Sequence, residues 1–136
     1  MGIRLSGGIG KINNVSFKTN KPSGGKSTFL VVGQWNNSNP SIAKFKIDGT
    51  FQADSNAAGG KWVPGLAVDS NNNIYLGTSG NDVIKLDKNL NTQWTFSGHS
   101  NRVWSVAVDQ NGNVYSGSND NTVKKIDSNG NEVWTF

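Results

Sequence analysis

Along the last three-fifths of the chain, mostly apolar residues come in runs of three or four: Leu66 to Val68, Ile74 to Gly77, Val83 to Leu86 and Gln93 to Phe96. Clusters of Asn, Asp and Gly separate them, so run length and punctuation predict short strands, not helices. The same runs return forty residues later. WVPGLAVDSNNNIYLGTSGNDVIKLDKNLNTQWTF, residues 62–96, reappears without a gap as RVWSVAVDQNGNVYSGSNDNTVKKIDSNGNEVWTF, residues 102–136, with 17 of 35 positions identical. Positions with unlike physical jobs stay in phase: Val63 with Val103, Asp69 with Asp109, Gly77 with Gly117, Asp87 with Asp127 and Trp94 with Trp134. Asn71, Asn72 and Asn73, matched by Asn111, Gly112 and Asn113, supply the positive backbone angles of two-residue hairpin turns. Each unit therefore reads as four strands in up-and-down order.

A repeat of this length, built of four short strands, predicts a β-propeller blade. Leu66, Ala67, Val68 and Val106, Ala107, Val108 are apolar at every position, which predicts sheets buried on both faces by stacked neighbours. Small residues at Ala67, Ala107, Gly77 and Gly117 suit close approach between sheets, so Gly77→Val and Gly117→Val are expected to destabilise the fold. A diverged third unit precedes the pair: Asn13 to Phe17, Phe29 to Gly33, Ile42 to Asp48 and Thr50 to Phe51 correspond to its strands. From Gly33 to Asp48 is 15 residues against 10 from Gly77 to Asp87, which reads as a five-residue insertion around Trp35 to Ser41. The segment QWNNSNPS is then a candidate contact loop or a tolerated surface insertion.

The expected fold is all-β, a propeller of three four-stranded antiparallel blades at about 12–55, 62–96 and 102–136. Closed rings need typically 4 to 8 blades. Three blades in isolation would leave two apolar blade faces in water, so the ring is expected to be completed by a second copy, a dimer giving six blades.

Composition narrows the chemistry. There is no Cys, so disulfides, thiolate metal sites and cysteine nucleophiles are excluded. The opening MGIRLSGGIGKINN lacks the apolar run of a signal peptide, and no stretch approaches a membrane span. Residues 1–61 carry eight Lys or Arg against two Asp, and residues 62–136 carry five against seven acids, so a net +6 and a net −2 divide the formal +4. The lysines are scattered and no aromatic-flanked basic strand is present, which argues against nucleic acid as a partner. The opposite signs favour head-to-tail assembly of copies.

Motifs that resemble chemical sites have simpler readings. PSGGKST, residues 22–28, ends like a phosphate-binding loop but has Asn20 where the motif needs Gly, and no strand and helix flank it. Asp69, Asn71, Asn73 and Asp109, Asn111, Asn113 have the spacing of a calcium loop, yet Asx turns predict the same residues. His99 is the only histidine, so no multi-histidine metal site exists. The Asp residues recur in phase as turn residues instead of forming a unique catalytic pair. No catalytic residue, metal or cofactor is assigned.

GHSNRVWSVAVDQNGNVYSGSNDNTVKKID, residues 98–127, resembles a WD repeat through Gly98, His99, Asp120, Thr122 and Val123. The resemblance implies that His99 and Asp120 join a buried hydrogen-bond network. Ile126 replaces the family's tryptophan, and Gly80 replaces the aspartate in the preceding unit, so the implied network is partial in one blade and absent from the other. FLVVGQWNNSNPSIAKFKIDGTF is similar to the delta-sixty type of propeller repeat, and IDSNGNEVWTF to the fourth strand of quinoprotein-like propellers. Neither carries the acidic, metal-holding site of the quinone enzymes.

Trp94 and Trp134 recur in phase and read as packing between blades. Trp35, Trp62 and Trp104 fall where the repeat does not demand Trp, and with Arg102 they form the candidate ligand-binding set: a Trp beside an Arg stacks on a sugar or anchors a protein contact. The expected function is a non-enzymatic structural or adhesive propeller subunit. Twenty Asn and few charges suit a phage virion component of tail or capsid surface. The alternatives are a lectin for surface glycans and, third, an intracellular protein-interaction scaffold. The expected location is the virion, or the cytoplasm if the protein is cellular.

Overall fold

A computed structural model describes residues 15–19, 29–34, 40–46 and 48–136. Trp35, most of the QWNNSNPS segment and all of PSGGKST lie outside the described residues. The described chain is all-β: β1 (Val15–Thr19), β2 (Phe29–Gln34), β3 (Ile42–Lys46), β4 (Phe51–Ser55), β5 (Gly65–Val68), β6 (Ile74–Gly77), β7 (Val83–Leu86), β8 (Thr92–Phe96), β9 (Val103–Val108), β10 (Val114–Ser118), β11 (Val123–Ile126) and β12 (Glu132–Thr135). They form three separate antiparallel sheets, β1-β2-β3-β4, β5-β6-β7-β8 and β9-β10-β11-β12, here called blades 1, 2 and 3. The first strand of blade 2, β5, lies against both β1 and β9, so the first strands gather on the inner side of the stack.

Strand alternation gives each blade two faces. Blade 2 turns Leu66, Ile74, Leu76, Ile84 and Leu86 toward Phe29, Val31 and Ile42 of blade 1. Its other face, Ala67, Tyr75, Val83 and Phe96, meets Val103, Val114 and Ile126 of blade 3. Tyr75, Leu76 and Ile74 are fully enclosed, each side chain contributing about 1.5–3 kcal/mol of apolar burial.

Burial separates β5 from β9 although both read as continuous apolar runs. Leu66 and Ala67 are buried because β5 has a blade on each side, while Ala107 is exposed and Val106 and Val108 are half-buried. The expectation of two covered faces holds for blade 2 and fails for blade 3, which has a neighbour on one side only.

The hairpins also differ from the two-residue turns expected. Asp69 N–H donates to Asn73 O and Asn72 N–H to Asp69 O, which encloses a three-residue loop with a single positive φ at Asn72, 68°. This is a type I turn followed by a left-handed residue. Gly112 takes the same place in blade 3, with φ 79°. In blade 1 the pairing Gly33 with Ile42 matches Gly77 with Val83, and Lys46 N–H to Thr50 O matches Asp87 N–H to Asn91 O. Lys46, not Asp48, is thus the counterpart of Asp87. The β2–β3 connection is three residues longer than its equivalent, and the remaining two of the five inferred residues come from equating the wrong aspartate.

Glycine explains how closely the blades stack. A Cβ on Gly77 would lie 2.8 Å from Val103 Cγ1 and 3.0 Å from Val103 O, and one on Gly33 would meet Val63 O at 2.9 Å and Val63 Cγ1 at 3.0 Å. Gly117 differs: its Cβ would meet only the Ser105 hydroxyl, at 2.9 Å, a group that can rotate away. The expected destabilisation therefore applies to Gly77 and not to Gly117 within the single chain. The two terminal faces differ, though each exposes an aromatic ring: Phe51, beside Phe45 on blade 1, and Phe136 on blade 3. The outward face of blade 1 is a small buried cluster of Val32, Ala43 and Phe45 flanked by Leu30, whereas the outward face of blade 3 exposes Val123 and Phe136.

Candidate functional site

The segments entering blades 2 and 3 bring two of the four candidate ligand-binding residues together. Trp62 is pinned by its backbone: its N–H donates to Ser79 Oγ at 3.0 Å, and its carbonyl accepts Ser79 N–H at 2.9 Å. Arg102 occupies the equivalent place one blade on, where its carbonyl accepts Asn119 N–H. The Arg102 guanidinium lies 5.0 Å from the centre of the Trp62 ring, a cation–π geometry that links the two blade entries at the surface. Trp62 is half-buried and Arg102 exposed. Trp104 is half-buried on β9, its backbone carbonyl lying 3.2 Å from where a Gly65 Cβ would stand. Trp35 lies outside the described residues.

His99 and Asp120 are 2.8 Å apart through Nδ1 and Oδ2, both side chains almost fully buried. His99 Nε2 is 2.8 Å from Ser116 Oγ, and Thr122 Oγ1 donates to Asp120 Oδ1 at 2.6 Å. Ser100 and Thr122 add backbone N–H donors at 3.0 Å each. Burial opposes charge on Asp120, but the hydrogen bonds from Thr122, His99 and the two backbone amides outweigh it and hold the carboxyl well below its usual range. The cluster ties the loop before β9 to β10 and to the turn after it.

Blade 2 has a substitute that sequence comparison missed. Lys61 lays its side chain across Gly80, where any Cβ would collide with Lys61 Cδ and Cε, and its Nζ pairs with Asp82 Oδ2 at 2.8 Å. Ser97 Oγ donates to the other oxygen at 2.7 Å. An ion pair thus does in blade 2 what the histidine cluster does in blade 3. The loss of Asp at position 80 concealed it, because the acid and its partner have each moved two residues along, to Asp82 and Lys61, from the places equivalent to Asp120 and His99.

The calcium-like spacings resolve into turns. Asp69 Oδ1 accepts the N–H groups of Asn71 and Asn73, and Oδ2 accepts Asn73 Nδ2 and the Tyr75 hydroxyl. Asp109 repeats the pattern with Asn111, Asn113 and Tyr115. The Asn113 side-chain amide, helped by the backbone N–H groups of Asn113 and Asn111, lowers the Asp109 pKa against the opposing cost of desolvation. A polar cleft of about 170 Å³ lies between these turns, bordered by Asp69, Asp109, Lys85 and Ser128. Its carboxylates are committed to donors of their own turns, and no cluster of three metal-binding side chains occurs among the described residues. No described helix is long and apolar enough to cross a membrane.

Three stacked four-stranded meanders define a β-propeller segment. The family profile described as "WD domain, G-beta repeat" matches residues 90–127, from just before β8 to just after β11: the outer strand of blade 2 and three strands of blade 3. The WD40 repeats of RRP9 superpose with a TM-score of 0.72 at 18% identity, covering 81% of this chain and 35% of that one. U3-55K superposes with a TM-score of 0.71 at 19% identity, covering 80% and 36%. No curated protein matches the sequence. The chain is a β-propeller repeat protein whose blades resemble WD repeats, and it spans about a third of the length of these solved structures.

Proposed function

We infer that the protein is a non-enzymatic interaction module, a propeller segment that presents its blade-entry surface to other proteins and assembles with copies of itself. Of the three roles expected from sequence, the protein-interaction scaffold, ranked third there, is the one best supported by the WD-type match at residues 90–127. The observation that carries the reading is the Trp62–Arg102 stack: an aromatic and a guanidinium held at the surface by backbone hydrogen bonds are the residue types that anchor protein contacts. The buried titratable cluster of blade 3 joins loops and strands together, which suits scaffold over catalyst.

The structural virion subunit and the lectin are the rival readings, and one experiment separates protein binding from glycan binding. Wild type, Trp62→Ala and Arg102→Glu would be compared by cross-linking capture of proteins and on a glycan array. The expected outcome is a discrete set of captured proteins, with retention falling at least about tenfold in both variants while circular dichroism stays unchanged. Array binding that depends on Trp62 or Trp104 would establish the lectin instead. Capture that is identical for wild type and both variants would overturn the assignment of this surface.

A further inference from the structure

Each contact between successive blades uses the same parts in the same places. The glycine ending the second strand receives a valine at the entry of the next blade, Gly33 with Val63 and Gly77 with Val103. The carbonyl after that glycine accepts the valine N–H, at 2.9 Å for Gln34 and Val63 and 3.0 Å for Thr78 and Val103. A third-strand lysine reaches a turn carbonyl of the next blade: Lys44 to Lys88 O at 2.8 Å and Lys85 to Ser128 O at 3.4 Å. Trp94 Nε1 donates to the same Ser128 carbonyl at 3.0 Å, and its ring lies against Gly130.

Blade 3 carries the whole set with nothing opposite it among the described residues. Gly117, Ser118, Lys125 and Trp134 stand forty residues after Gly77, Thr78, Lys85 and Trp94. Lys125 lies 5.6 Å from the centre of the Tyr115 ring, as Lys85 does over Tyr75, so its ammonium is already posed as in the completed contact. The apolar pair shows the same contrast: Val83 is 0% and Phe96 9% exposed, while Val123 is 41% and Phe136 91% exposed.

We propose that this face of blade 3 is a blade-acceptor surface, built around Gly117, Ser118, Val123 and Phe136, and that its occupant is the first blade of a second copy of this chain. The inference rests on the self-assembly part of the proposed function and specifies its interface. Two features choose the occupant. The corresponding faces of blades 2 and 3 are already packed against blades 1 and 2, so of the three blades described here blade 1 is the one whose corresponding face meets no other blade. The basic balance of residues 1–61 also complements the acidic balance of residues 62–136. Val32, Ala43 and Phe45 on the receiving face are buried in the single chain, so docking competes with contacts already made there. Two such head-to-tail contacts close a ring of six blades.

Light scattering coupled to size exclusion, at micromolar concentration, tests this with wild type, Val123→Asp, Phe136→Asp and Gly117→Val. The first two sites are exposed and the third has only a rotatable hydroxyl nearby, so folding, checked by circular dichroism, is expected to survive. The expected result is twice the monomer mass for wild type and a dissociation constant raised about tenfold or more in each variant. Lysine cross-links between isotopically distinct copies should join Lys125 to Lys46 of the second copy. A dimer insensitive to the three variants, or one cross-linked only between the two Lys125 residues, overturns this interface while leaving self-assembly intact. A monomeric wild type overturns both.

Discussion

Asp120 shows how a single side chain can hold a loop. Four donors converge on its carboxylate from His99, Thr122 and two backbone amides, and its pKa is depressed because those bonds outweigh desolvation. A carboxylate with a depressed folded pKa adds stability above its unfolded value, and that stability is lost as pH falls through the folded one. The loss is therefore expected to begin near the ordinary value of 3.8 and continue below it. Asp120→Asn should cost about 1–3 kcal/mol at neutral pH and flatten the acid limb of a plot of Tm against pH. An unchanged acid limb would contradict the assignment. The His99–Asp120 pair was legible from its resemblance to a WD repeat, but Lys61–Asp82 was not, because both residues stand two places along from the equivalent positions. Leu90 is a second case: it holds φ at 69° where Gly49 and Gly130 stand in the sister turns, and its buried side chain in the core between blades 1 and 2 offsets the strain of that backbone.

At the scale of the element, hydrophobic runs located the strands well. The runs read at 66–68, 74–77, 83–86 and 93–96 lie within β5 to β8, because strands covered on both faces by neighbouring sheets read as short continuous apolar runs. Turn type and insertion length were read less well, since Asp–Asn clusters satisfy several hairpin geometries and only pairing shows which residue opens the turn. The two glycines in phase carry a prediction of unequal cost. Gly77→Ala places its Cβ against Val103 Cγ1 and the Val103 carbonyl and should destabilise by about 1–3 kcal/mol, whereas Gly117→Ala should stay within about 0.5 kcal/mol. Thermal denaturation of both variants under dilute conditions checks this; equal losses would show that the glycines serve strand geometry and not blade spacing.

For the molecule as a whole, the decisive feature is the asymmetry of its two ends: an outward face on blade 1 with Val32, Ala43 and Phe45 buried and Phe51 exposed, and one on blade 3 with Val123 and Phe136 exposed. If the blade 3 face is filled by a second copy, association stabilises the folded state by mass action. Tm should then rise with protein concentration for wild type, and for Phe136→Asp only at concentrations about tenfold higher or more. A wild-type Tm independent of concentration would argue that the blade 3 face takes no part in self-assembly.

The repeat, the strands, the antiparallel meander and the propeller class were determined by sequence alone, because each is written in local periodicity that recurs after forty residues. Tertiary structure decided which of two equivalent residues is buried. Val83 and Val123 stand in the same local pattern, and only the presence of a following blade removes one of them from water. Burial depends on what lies opposite a side chain in space, and neighbours along the chain carry no record of it.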